Sequence, residues 1–349
     1  MDKIAVVNGL RGLAILGVLF QHLGLPPAMA ALDAAGLSAL DPLVSNGWTG
    51  VNLFFILSGF VLFLPYAAGR RTMAGWADAR HFYGRRFLRL MPLYYFAAVV
   101  LLVLAGFQLS PAAFGELALD LATVRFALEP HHFGVAINYP LWSIGVEILF
   151  SLAFPLVVLV AARIGLGRVL ALALAGALAL RLLGRAWDAH PLGPNFVADN
   201  IFGRIDEFVL GMALAHAYEA GRIPPWARHL LLPGVALVLL AWAGFYQCQY
   251  RGLSMLAMAP LNNVIDLGFA CVLAASLGGR GGMLAAVPLQ VAGMMCYSLY
   301  IWHVPVIDAV RPAQGLGAAL PLLLALSLAS YRFVEFGRVA DWRALFAWR

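Results

Sequence analysis

The sequence predicts an all-α, polytopic integral membrane protein with about ten transmembrane helices, organised as a single domain over residues 1–349. Three observations predict it. Of the 349 residues, 63% are hydrophobic and only 11% are charged, and the mean hydropathy is +0.86. Soluble domains carry about 25% charged residues, so a soluble enzyme is excluded. The apolar residues fall into runs close to the roughly 20 residues that cross a bilayer. Basic residues gather in alternate loops, the mark of a fixed orientation.

The segments run, in order, over about 4–25, 48–68, 91–107, 140–162, 169–183, 200–218, 229–246, 258–278, 287–310 and 316–336. The third and fifth are short; the rest approach a full span. None shows the alternation of a membrane barrel, so helices are the spanning form. The first segment imitates a signal peptide, with Lys3, an apolar run and Ala28-Met29-Ala30. Arg11 inside that run argues against cleavage, as does the hydrophobic remainder. Cys248, Cys271 and Cys296 fit no disulfide or metal spacing, and no metal site is expected.

The loops orient the segments. Stretch 69–90, read as a loop, holds Arg70, Arg71, Arg80, Arg85, Arg86 and Arg89. Loops on the same side add Arg163, Arg168, Arg222, Arg228 and Arg280, and the termini add Lys3, Arg338, Arg343 and Arg349. The other side has only Arg125, Arg185, Arg251 and Arg311. Both termini are therefore expected in the cytoplasm, and the net charge of +6 reports orientation rather than nucleic acid.

Ionisable residues inside such segments are costly and by default functional. Arg11 and His22 share the first segment. Eleven steps of about 100° bring them within about 20° of one face, roughly 16 Å apart along the axis. The orientation puts Arg11 in the inner half and His22 near the outer end. Glu147, with Ser143 one turn before it, sits in the outer half of the fourth segment. Asp206 and His303 fall at similar depth on two further segments. Arg85, Arg86, Arg89, Arg332 and Glu335 gather with Arg11 near the inner side. Plainer readings exist for several: Asp206 and Glu207 pairing with Arg204, Arg332 pairing with Glu335, His303 as an interfacial residue beside Trp302, and some arginines meeting anionic lipid. His22 and Glu147 have no opposite charge at helical neighbour spacing, so function is favoured for them.

These residues carry a resemblance. Arg11 to His22 resembles the R-x10-H motif of membrane acyltransferase family 3, which includes bacterial O-acetylases of surface polysaccharides. Gly47-Trp48-Thr49-Gly50-Val51-Asn52 through Ser58-Gly59-Phe60 resembles its second-helix block. Arg85-Arg86-Phe87-Leu88-Arg89 resembles its arginine-rich start of the third helix, and Trp142-Ser143 with Glu147 its W-S-x-x-x-E block. Tyr297 to His303 and Tyr331 to Glu335 resemble its closing blocks. The similarity runs from residue 8 to about 336. One branch of the family adds a C-terminal esterase-like domain that this sequence lacks, so the chain resembles the stand-alone form.

The resemblance implies transfer of an acyl group, usually acetyl, from cytoplasmic acyl-CoA to a hydroxyl of a glycan or other acceptor. The donor is a substrate, and no permanently bound cofactor is expected. Arginines suit its phosphates, so Arg11, Arg85, Arg86, Arg89 and Arg332 are assigned to the donor. A neutral imidazole suits proton abstraction from the acceptor, so His22 is assigned as base. Glu147 is its orienter or an acceptor-binding group. Asn52, Ser58, Trp142, Ser143, Asp206 and His303 are assigned to acceptor binding or support. Ser58 and Ser143 are the candidates should an acyl-enzyme form. The expected location is a bacterial inner membrane, among lipid. The competing reading is a transporter or flippase of a small anion or lipid-linked molecule, since many helices and intramembrane charges also suit transport; no internal repeat supports it.

Overall fold

A computed structural model of the chain describes residues 3–104, 140–188, 194–279, 282–314 and 316–337. Of the residues used for orientation, Arg125, Arg280, Arg338, Arg343 and Arg349 lie outside this description.

The described residues form helices and no strands. They are α1 (Lys3–Leu23), α2 (Leu25–Ala34), α3 (Asp41–Val44), α4 (Gly50–Ala67), α5 (Trp76–Leu104), α6 (Leu141–Ile164) and α7 (Leu166–Trp187). There follow α8 (Ile201–Glu219), α9 (Leu231–Tyr250), α10 (Met258–Gly278), α11 (Val287–Met294), α12 (Cys296–Gln314) and α13 (Leu316–Ser330), which ends in a π-helical turn, Tyr331–Glu335. Among the described residues, seven helices are long and apolar enough to cross a membrane. The expected segments 91–107, 200–218 and 287–310 are not among the seven. The second of these carries Arg204, Asp206 and Glu207 in its first two turns, and the third divides into α11 and α12.

One expectation needs correction. Only 69–75 of the stretch 69–90 is a loop: α5 begins at Trp76, so Arg80, Arg85, Arg86 and Arg89 are helical. Arginine is a good helix former, and Gly84 is the only glycine within α5. The apolar run that marked the span is thus the second half of a longer helix.

The chain sorts into two compact units, Met1–Ala74 with Ala153–Gly293, and Gly75–Leu152 with Met294–Arg349. In the first, Leu10, Ile56, Leu57, Phe60, Phe245, Ile265 and Leu273 form a fully buried core. Helices α4 and α8 meet backbone to backbone. A Cβ on Gly59 would lie 1.9 Å from the Phe208 carbonyl oxygen, and one on Gly211 would lie 1.9 Å from that of Ile56. Small residues allow such approach where no hydrophobic force drives helices together. Phe55 stacks on Phe208 beside the crossing, ring centroids 4.7 Å apart. The Asn200 side chain caps α8, accepting from the N–H groups of Phe202 at 2.9 Å and Gly203 at 3.0 Å.

In the second unit, buried side chains reach across helices to backbone and hydroxyl groups. Tyr297 on α12 donates to the Leu90 carbonyl on α5 at 2.7 Å, and Trp302 donates to the Ser330 hydroxyl on α13 at 2.7 Å. In a low-dielectric interior such satisfied bonds fix helix register.

Candidate functional site

The first unit holds the Arg11–His22 helix and a buried polar cluster. On α1, Arg11 and His22 are both half-buried. Gly12 lets α1 press against α11: a Cβ there would lie 2.2 Å from the Leu289 carbonyl oxygen. The glycine after Arg11 therefore sets the helix contact at the arginine's own level. Among the described residues, no carboxylate lies within ion-pairing distance of Arg11. Ser58 is half-buried on α4, and Asn52, two turns earlier, is fully buried.

Asn52 reaches the cluster, which the sequence only partly foretold. Arg181 on α7 makes a two-pronged bridge to Asp206, at 2.8 and 2.7 Å, and a third bond to Glu207 at 3.2 Å. Arg204 bonds Glu207 at 2.7 Å and Asp199 at 2.9 and 2.5 Å. The Asn52 amide donates to Glu207 at 3.2 Å, to Asn262 at 3.1 Å and to Asp266 at 3.0 Å. The expected Arg204–Glu207 pair is present, whereas Asp206 turns to Arg181 instead. Arg185, read as a loop charge, is buried at the end of α7, 3.5 Å from Asp199. Burial alone would push the Asp199 carboxyl up. Arg204, Arg185 and the Asn195 N–H outweigh it and hold that carboxyl below its ordinary range.

Sequence reasoning missed Arg181 and Asp266 as site members. Each is a lone charge in an apolar run, the same signal that singled out His22. Their partners lie on other helices, so spacing along the chain could not name them.

The second unit gathers the other candidates. Arg86 on α5 forms an ion pair with Glu147 on α6, and its Nε donates to the Ser151 hydroxyl at 3.0 Å. One turn on, Arg89 forms an ion pair with Glu335 in the π-helical turn. Glu335 also accepts from the Ser298 hydroxyl on α12. The Arg89 guanidinium lies over the rings of Tyr297 and Phe336, 5.6 and 5.3 Å from their centroids. The plainer expectation gave Glu335 to Arg332; the partner seen here is Arg89, and Arg332 lies over the Phe333 ring at 5.3 Å. Arg85 is exposed and Trp142 half-buried.

A second group in this unit centres on Tyr300. Ser143 donates to the Tyr300 hydroxyl at 2.7 Å, which donates to the Pro140 carbonyl at 3.0 Å. His303 is fully buried, with Nδ1 2.5 Å from the Tyr300 carbonyl. A carbonyl only accepts, so Nδ1 carries the proton. The predicted Arg86, Arg89 and Glu147 are thus brought together with Glu335, and Ser143 with His303 through Tyr300. Arg11 and His22 belong to the other unit.

Residues 4–331 match the acyltransferase-domain family. The chain belongs to acyltransferase family 3. Among its relatives, YrhL of Bacillus subtilis, provisionally named a peptidoglycan O-acetyltransferase, is 26% identical over 94% of this chain and 54% of its own length. ExoZ of Rhizobium meliloti, an exopolysaccharide production protein, is 28% identical over 83% of this chain and 88% of its own. The peptidoglycan O-acetyltransferase OatA of Listeria monocytogenes is 24% identical over 94% and 54%. The chain thus spans about half the length of YrhL and OatA. No solved structure matches it.

Proposed function

We propose that the chain is a membrane O-acyltransferase, moving an acetyl or similar acyl group from acyl-CoA to a hydroxyl of an envelope glycan. The observation that carries this is family membership across residues 4–331. The relatives' names add the acceptor class, peptidoglycan or exopolysaccharide. In the proposed reaction the acceptor oxygen attacks the thioester carbonyl carbon and the C–S bond breaks. His22 takes the hydroxyl proton, which passes to the departing thiolate. The residues proposed for donor binding are Arg11 in the first unit and Arg85, Arg86, Arg89 and Arg332 in the second. Glu335, now paired with Arg89, would give way to a donor phosphate on binding, while Glu147 keeps its proposed part as orienter or acceptor-binding group. Both termini and the donor lie on the cytoplasmic side of a bacterial inner membrane.

Two experiments test this reading. Envelope glycans from cells with and without the gene, compared by mass spectrometry, should differ by the mass of an acyl ester. Identical glycans would remove the glycan acceptor. In the purified chain, Arg89→Ala should abolish most of the thermal stabilisation given by acetyl-CoA. Arg89→Lys should restore little, because an ammonium lacks the guanidinium fork and its stacking on Tyr297 and Phe336. Undiminished stabilisation in Arg89→Ala would take Arg89 out of the donor site.

A further inference from the structure

The buried cluster of the first unit carries a charge that its own side chains leave unbalanced. Among the described residues, Arg181, Arg185 and Arg204 face Asp199, Asp206, Glu207 and Asp266. Three permanent cations thus meet four carboxyl groups, none of the residues more than 6% exposed. Among the described residues, Asn52 from α4, Asn262 from α10 and Asn195 from the turn before α8 bring neutral groups to it. A surplus negative charge is costly at this depth. Neighbouring carboxyls resolve such a surplus when one of them keeps its proton.

The hydrogen bonds identify which one. Asp199 is bonded twice by Arg204 and once, at 2.6 Å, by the Asn195 N–H. Asp206 has the two-pronged bridge from Arg181. Glu207 receives Arg204, Arg181 and Asn52 on one oxygen. Asp266 receives Asn52 at 3.0 Å, and its nearest guanidinium nitrogen, on Arg181, stands off at 3.8 Å. It is the least compensated carboxyl of the four. Three buried oxygens here have no hydrogen-bond partner: Oδ2 of Asp266, Oε2 of Glu207 and Oδ1 of Asn52. One oxygen from each of Asp206, Glu207 and Asp266 lies within 4.8 Å of the others. These oxygens need a donor, and the cluster needs one positive charge.

We propose that this cluster is a proton-binding site, in which Asp266 is a neutral carboxylic acid carrying its proton on Oδ2. The proton brings the cluster to neutrality and turns Oδ2, an acceptor with no hydrogen-bond partner, into a donor. A metal cation is the competing occupant, but Arg181 and Arg204 already hold Asp206 and Glu207 at 2.7–3.2 Å, and their charge opposes a second cation there.

Infrared spectroscopy of the purified full chain in lipid discs tests the assignment. The wild type should show a protonated-carboxyl carbonyl band that shifts in D2O. The band should vanish in Asp266→Asn and persist in Glu207→Gln. Because the asparagine is a neutral isostere of the acid, the melting temperature of Asp266→Asn should stay within about 2 °C of wild type, while Asp206→Asn should fall by several times that. No such band, a band that survives Asp266→Asn, or an Asp266→Asn that melts as early as Asp206→Asn would overturn the proposal. So would stabilisation by sodium over choline that is lost in Asp266→Asn, which would make the occupant a metal ion. None of these readouts depends on acyl transfer.

Discussion

At the scale of single residues, the cost of a charge in a membrane explains most of what can be read from this chain. Arg181 is 1% exposed and holds Asp206 and Glu207 together. Arg181→Ala leaves both carboxylates without their main partner, so it should cost about 3–5 kcal/mol of stability, read as a large fall in melting temperature. A loss below about 1 kcal/mol, typical of an exposed pair, would show that the bridge is open to water. The sequence named Asp206, Glu147, Arg86 and Arg89 as important, but not whom each would meet. Asp206 had Arg204 two residues away and chose Arg181, 25 residues back, because two-pronged guanidinium geometry is met across helices. Glu147 likewise found Arg86, 61 residues away. Side-chain spacing on one helix cannot foresee either.

At the scale of elements, the helices were legible and their joints less so. Apolar runs located α4, α6, α8 and α10 to within a few residues. They failed where charge and helix coincide, as in the first half of α5, whose arginines read as a loop. They also passed over the break at Met295 between α11 and α12. The contact that matters most at this scale is the α4–α8 crossing, which sets Asn52 beside Glu207. Gly59→Val or Gly211→Val should force the two backbones apart and sharply lower the yield of folded protein. Gly176→Ala on α7 is the control: nothing lies within 4 Å of its added Cβ. It should be neutral or stabilising by roughly 0.5–1 kcal/mol. Valine tolerated at both crossing positions would contradict the close packing.

At the scale of the whole molecule, the loop charges predict both termini in the cytoplasm. A fluorescent reporter that matures only in the cytoplasm should light up when fused to either end, and a phosphatase that works only outside should stay silent. An active phosphatase at either end would reverse the orientation and exchange the donor and acceptor sides. In the proposed reaction this family member transfers an acyl group with His22 as its base. The direct measurement is transfer of label from acetyl-labelled CoA to envelope glycan in membranes carrying wild type or His22→Ala. Loss of a general base typically slows a reaction by about 10²–10⁴-fold. The variant should therefore fall by at least about 100-fold while acetyl-CoA still raises its melting temperature. Transfer at the wild-type rate by His22→Ala would show that His22 is not the base.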